Sequence, residues 1–227
     1  MRAAFALLVL AAAAGTAGCR PATPLGGPGS GDDPRAAGKL VHMPASTPRY
    51  SDLRRHTFSP TGADADPLLT PDNRTLVFAS SVHGPAYNLY EKTVDGHVVS
   101  LLTEDPDDER FPRLAPDGRT LAFAANRHGN WDLFRKPLSA RGEWVPIATD
   151  PEDELWPTWS PDGRSLAYSI LFPEGWTIRT IDVTGRKTDV AQGILPAWHP
   201  TRPLIAFQRA RGREEPWYAI WTLDLET

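Results

Sequence analysis

The stretches LTPDNRTLVFAS (69–80), LAPDGRTLAFAA (114–125) and WSPDGRSLAYSI (159–170) are one sequence unit written three times. Their Pro-Asp pairs begin at Pro71, Pro116 and Pro161, a spacing of 45 and 45 residues. A degenerate fourth copy, WHPTRPLIAFQR (198–209), follows, with Phe207 placed 39 residues after Tyr168. Upstream of each turn, Pro67, Pro112, Pro157 and Pro196 keep the same 45, 45 and 39 spacing. A period in this range marks a repeated supersecondary unit that buries its faces only by stacking on its neighbours.

Each unit reads as four short strands. The first precedes the Pro-Asp turn, as in Phe111 to Leu114 and Trp156 to Trp159. The second follows it, over Thr75 to Ala79, Thr120 to Ala124 and Ser165 to Ser169, and is apolar enough for a strand buried on both faces. The third alternates, as in Trp131-Asp132-Leu133-Phe134 and Tyr218-Ala219-Ile220-Trp221; the fourth lies near Val98 to Leu102 and Trp144 to Ala148. In the turn, Pro presets φ at the first corner, Asp bonds its local backbone, and Gly or Asn73 takes the positive φ that closes the hairpin. Four-stranded antiparallel units of about 45 residues predict an all-β chain, a β-propeller. The blades fall over residues 64–103, 108–149, 153–191 and 193–225.

Composition agrees. The 227 residues include 23 Pro and 18 Gly, which argues against a helical bundle, while 41% hydrophobic residues and 8 Trp supply a core. A formal net charge of −4, from 24 basic and 28 acidic residues, gives no general grip on nucleic acid phosphates. Cys19 is the single cysteine, so neither an intrachain disulfide nor a cysteine zinc site can form.

The stretches 159–168 and 127–134 (RHGNWDLF), with the Leu101-Leu102-Thr103 ending, resemble the TolB-type propeller repeat, and the resemblance runs over about residues 53–225. Such repeats occur in the periplasmic Tol-system protein, in envelope lipoproteins and in the propeller domains of prolyl-oligopeptidase-like peptidases. The family ring is larger than the four visible units. Two arrangements are therefore open: a four-bladed ring closed by Arg54 to Phe58 acting as an outer strand of the last blade, or an incomplete ring, which the family size favours.

The N-terminal region has its own logic. Residues 1–18 combine a positive start, an apolar run from Ala3 to Ala14 and small residues before Cys19, which reads as an export signal. The small residues before a lone cysteine resemble a bacterial lipobox, implying lipidation at Cys19 and attachment to a membrane through the lipid alone. Arg20 in the next position implies the outer membrane by the sorting rule of such lipoproteins. Residues 19–52, rich in Pro and Gly, form a tether, and 53–227 form the repeat domain.

Strands that run up and down place the links between second and third strands on the same face as the links between blades. That face collects Asp64, Asp108, Glu109, Asp153 and Glu154 with His83 and His128, and Asp64, Glu109 and Glu154 share one repeat position near the axis. Such an acidic rim suits a basic protein segment or a channel cation such as calcium; no cofactor is otherwise expected. The plainer reading of these carboxylates is solvated turn punctuation. His83 and His128 lack a third ligand of matching spacing, and most tryptophans read as filling between blades. Trp131 and Trp176, where a loop enters a third strand, are the better contact anchors.

There is no Gly-x-Ser-x-Gly elbow, phosphate loop, dinucleotide fingerprint or His-Glu-x-x-His pattern. The expectation is a non-enzymatic envelope lipoprotein, anchored on the periplasmic side and serving as a protein-binding scaffold. The Tol-system resemblance implies a peptidoglycan-associated lipoprotein as partner. The alternative is the propeller domain of a prolyl-oligopeptidase-like serine peptidase.

Overall fold

The computed structural model describes residues 54–58, 61–139, 143–210 and 218–226; the expected signal, the tether and Cys19 lie outside them. Among the described residues there are fifteen strands and no helix. Blade 1 comprises β1 (Asp64–Leu69), β2 (Thr75–Ser80), β3 (Asn88–Thr93) and β4 (Val99–Leu101). Blade 2 comprises β5 (Glu109–Leu114), β6 (Thr120–Ala125), β7 (Asp132–Pro137) and β8 (Val145–Ala148). Blade 3 comprises β9 (Glu154–Trp159), β10 (Ser165–Phe172), β11 (Gly175–Asp182) and β12 (Lys187–Gln192). Blade 4 holds β13 (Ile194–Trp198), β14 (Leu204–Ala210) and β15 (Tyr218–Asp224). Each sheet is an antiparallel meander in chain order, the arrangement of a four-bladed β-propeller.

The Pro-Asp turns form as their residues dictate. Asp117 Oδ1 accepts from the N–H groups of Arg119 and Thr120, at 2.8 and 3.0 Å. Gly118, at φ 68°, donates to Ala115 O at 2.9 Å. Asp72 and Asp162 accept from the matching arginine N–H groups at 3.0 Å, and Asn73 and Gly163 take the same left-handed conformation. In the degenerate fourth turn Thr201 stands where the Asp would be, and its N–H turns to the His199 ring nitrogen at 3.2 Å.

The prolines upstream of the turns fix a second feature. Asp66, Phe111, Trp156 and Leu195, each immediately before one of those prolines, all have φ between 52° and 57°. The pairing of each inner strand with its neighbour shifts register at this point in all four blades. Proline has no N–H to give to a ladder, so it is tolerated where a bulge already interrupts the ladder. The left-handed residue then re-aims its side chain relative to the alternation on either side.

Stacking follows from face chemistry. Each blade turns a front face to its predecessor and a back face to its successor. At the first junction Phe123 and Phe134 of blade 2 pack on Val77, Ala79 and Leu89 of blade 1. At the second, Leu166, Tyr168 and Ile170 meet Ala122, Ala124 and Leu133. At the third, Ile205 and Phe207 meet Ala167 and Ile178. The cross-strand register makes Leu89, Leu133, Ile178 and Ile220 equivalent back-face residues. The first three are 0% exposed and Ile220 is 72% exposed, so among the described residues no blade stacks on the back of blade 4.

The segment from Arg54 to Phe58 does not pair with blade 4. It lies without strand structure on the front of blade 1, where the Lys92 ammonium donates to His56 O at 3.1 Å. Lys136, one repeat later, makes the same bond to Leu102 O, just past the outer strand of blade 1. The segment therefore occupies the place of a preceding blade's outer strand, as its spacing suggests, without completing the last sheet.

Candidate binding face

The loops between second and third strands and the links between blades share one face. Its acidic residues divide into two populations. At the first junction, Asp108 Oδ1 accepts from Tyr87 N–H at 2.8 Å, and Glu109 N–H donates to Tyr87 O at 2.6 Å. At the second, Asp153 Oδ1 accepts from Trp131 N–H at 2.9 Å, and Glu154 N–H donates to Trp131 O at 2.7 Å. Each Asp-Glu pair thus grips both backbone groups of one residue at the head of the previous blade's third strand. The exposed acidic rim expected from the sequence needs correction on this point, and so does the plainer reading of solvated turns. Glu109 and Glu154 are fully buried, and Asp108 and Asp153 are committed to backbone.

Burial controls the chemistry of the two glutamates. Desolvation pushes the Glu109 carboxyl up to about 8, against the opposing bond from Thr103 Oγ1 at 2.6 Å. Burial likewise pushes Glu154 up to about 8, helped by the charge of Asp150. Thr103 in turn accepts from Leu89 N–H at 2.8 Å, which ties the acid into blade 1. The next repeat has Ala148 in that place, and Glu154 Oε1 accepts instead from Asp150 N–H at 3.4 Å. At the third junction Gly193 replaces the glutamate. It donates to Trp176 O at 3.0 Å, and a Cβ there would meet the Phe207 ring and Gln208 O at 2.6 Å.

Other charged and titratable residues of the face stand open to a partner. Asp64, Glu104, Asp107, His83 and His128 are exposed on this face. His83 rests against the Tyr90 ring at 5.6 Å. His128 is on the loop before β7, and no group of three or more potential metal-ligating side chains exists among the described residues. Arg127 forks onto Asp105 through Nε and Nη2, at 2.8 and 2.6 Å, and lays its guanidinium over Trp144.

Beside these groups runs a row of half-buried rings. Trp131 meets Phe111 at 6.3 Å, Phe111 meets Trp156 at 5.8 Å, and Trp156 meets Trp176 at 5.1 Å between centroids. Phe111 and Trp156 are two of the left-handed bulge residues. At the same position in blade 1, Asp66 accepts from Arg110 Nε at 2.6 Å and from Phe111 N–H at 3.2 Å. Arg110 also stacks 4.4 Å above the Tyr87 ring. The sequence picks out Trp131 and Trp176 but not Phe111, Trp156, Asp66 or Arg110. The available signal was the residue before each evenly spaced proline.

Chemically, the face offers rigid aromatic surface, the mostly buried ion pairs Arg110–Asp66 and Arg179–Asp150, and peripheral charges of both signs. These suit contact with a polypeptide or other mixed apolar and charged surface.

No protein-family model matches the chain, and no curated protein matches it. Solved structures do. TolB from Acinetobacter baumannii is similar over 65% of this chain and 38% of its own, at 22% identity and a TM-score of 0.58. A putative TolB from Agrobacterium tumefaciens is similar over 73% of this chain and 59% of its own, at 20% identity and a TM-score of 0.61. A puromycin-hydrolyzing peptidase from Mycobacterium tuberculosis is similar over 73% of this chain and 27% of its own, at 14% identity and a TM-score of 0.58. An oligogalacturonate lyase from Vibrio parahaemolyticus is also similar, at 16% identity and a TM-score of 0.58. The likeness is one of fold, and the chain spans less than two thirds of the length of each of the two TolB structures.

Proposed function

We propose that the chain is a non-enzymatic docking module of the bacterial cell envelope, a lipid-anchored propeller that holds a protein partner on the face just described. The observation that carries this reading is the half-exposed row Trp131, Phe111, Trp156 and Trp176, two of them set by strand bulges, on a face that also carries exposed Asp64, Asp107, His83 and His128. The fold likeness to TolB structures supports an envelope partner, with a peptidoglycan-associated lipoprotein as the first to try. The test is binding of the purified soluble domain of such a lipoprotein to the full chain by calorimetry. Asp64→Lys and Asp107→Lys, both at exposed sites, should weaken it at least fivefold; equal binding by the variants would remove this face from the account. The lipid anchor is tested separately: Cys19→Ser should release the protein from membranes.

The fold likeness to the mycobacterial peptidase favours a second reading, a propeller domain serving a serine peptidase. Hydrolysis of short peptide esters by the intact gene product, abolished by a serine-directed phosphonate, would establish it in place of the first.

A further inference from the structure

Between blades 2 and 3, at the Pro-Asp turn end, a groove of about 460 Å³ opens. Trp159, Ile147, Pro146, Ile181 and Val183 give it apolar walls, and Arg135 belongs to its lining. Arg135 is exposed and makes no ion pair or hydrogen bond among the described residues. The first junction shows what the repeat places at the same positions. The register that pairs Val77 with Glu91 pairs Ala122 with Arg135, and the register that pairs Leu121 with Lys136 pairs Leu166 with Ile181. At the first junction Glu91, on the back of blade 1, favours the charged form of Lys136 on the front of blade 2 against the cost of its burial. Lys136 reaches across to Leu102 O, and Leu138 packs on the core beside it. At the second junction all three positions differ. Arg135 replaces the carboxylate, Ile181 replaces the ammonium, and Val183, in the place of Leu138, is 66% exposed. The exchange leaves a guanidinium with no facing counter-charge beside exposed apolar surface.

Asp117, Asp162 and Asp182 also border the groove, and each is engaged by its own turn. Asp117 binds the N–H groups described above. Asp162 Oδ1 accepts from Ser160 Oγ at 2.6 Å and from Arg164 N–H at 3.0 Å, and Asp182 Oδ1 accepts from the N–H groups of Thr184 and Arg186 at 2.8 and 3.1 Å. Hydrogen bonds within the turn hold each carboxyl below its ordinary value, and an arginine of the same turn, Arg119, Arg164 or Arg186, adds its charge to that effect. Each aspartate thus has an arginine of its own, and Arg135 is the surplus cation. A groove of this volume takes a small ligand. The planar fork of a guanidinium matches a carboxylate, and three ionised aspartates at the border disfavour a doubly charged phosphate.

From this we infer that the groove binds a small monocarboxylate with an apolar body. The apolar part lies against Trp159, Ile147 and Ile181, and the carboxylate meets Arg135. All the lining residues belong to blades 2 and 3. The site goes beyond the proposed envelope partner, which would sit on the loop face at the other end of the strands.

Titration of the nitrogen-15-labelled full chain with 3-phenylpropionate tests it, up to about 50 mM at constant ionic strength and about pH 7.5. The readout is the indole N–H resonance of Trp159, identified by its loss in Trp159→Phe. The wild type should show a saturable shift. Arg135→Gln, at an exposed position, should weaken binding at least threefold, while Arg74→Gln, at a turn outside the groove, should bind as the wild type does. The uncharged 3-phenylpropionamide should bind at least threefold more weakly than the acid, and phenyl phosphate should bind no more tightly than the acid. Absence of a saturable shift would overturn the inference. Binding by Arg135→Gln equal to that of the wild type, an equal loss in Arg74→Gln, equal binding of the amide, or tighter binding of phenyl phosphate would overturn it too.

Discussion

Replacing either buried glutamate by glutamine should flatten the dependence of stability on pH. Both carboxyls move from an ordinary 4.5 to about 8 on folding, with burial as the leading cause. The folded state therefore holds a proton that the unfolded chain releases between those values. The stability gained is full below pH 4.5, declines as pH rises, and is gone above about 8. At about 1.4 kcal/mol for each tenfold in proton concentration, the upper bound is about 5 kcal/mol for each glutamate. Glutamine keeps an amide oxygen to accept from Thr103 Oγ1 or Asp150 N–H and cannot ionise. Urea unfolding followed by tryptophan emission at pH 5 to 9 measures the effect. Relative to the wild type, Glu109→Gln and Glu154→Gln should gain steadily up to pH 8 and then level off. The double variant should gain the sum, since the two sites lie at different junctions. Curves for wild type and variants that run parallel from pH 5 to 9 would refute the burial argument.

Other substitutions probe the junctions one at a time. Asp153→Ala removes the acceptor for Trp131 N–H and should cost about 1–3 kcal/mol by urea unfolding, with Asp153→Asn recovering part of the loss. Gly193→Ala drives a methyl into the Phe207 ring and Gln208 O and should cost about 1–3 kcal/mol, seen as a lower thermal midpoint. Asp66→Ala strips the partner from the mostly buried Arg110 and should destabilise by about 3–5 kcal/mol, while the joint change with Arg110→Met should recover much of it.

The sequence makes the architecture legible because its strongest signals are local. Proline, aspartate and glycine in the turns act over four or five residues, and the 45-residue period carries that grammar from blade to blade. The direction of the acidic side chains is harder to read. Asp108 and Glu109 are adjacent at a strand's first residue, where a shift of one position exchanges the buried face for the exposed one. The bulge before each proline alters the alternation again, so Phe111 and Trp156 read as ordinary strand residues although they hold left-handed backbone. The spacing of Arg54 to Phe58 points to an outer strand completing the last blade, and spacing alone does not show that the segment instead lies without strand structure on blade 1. Trp131 and Trp176 stand out by position, whereas Asp66 and Arg110 become visible only when two inner strands come side by side.

The backbone grip between blades also bears on how the chain matures. Tyr87 is held by residues only 21 and 22 positions further along, and Trp131 by residues 22 and 23 further on. Blades 1 to 3 are thus sealed by the opening residues of the blade that follows, with no distant partner awaited. A polypeptide emerging from a ribosome or a translocation pore can fasten its sheets in order, each new segment locking the last. Short-range closure of this kind favours rapid vectorial assembly and limits the time for which apolar blade faces stand bare.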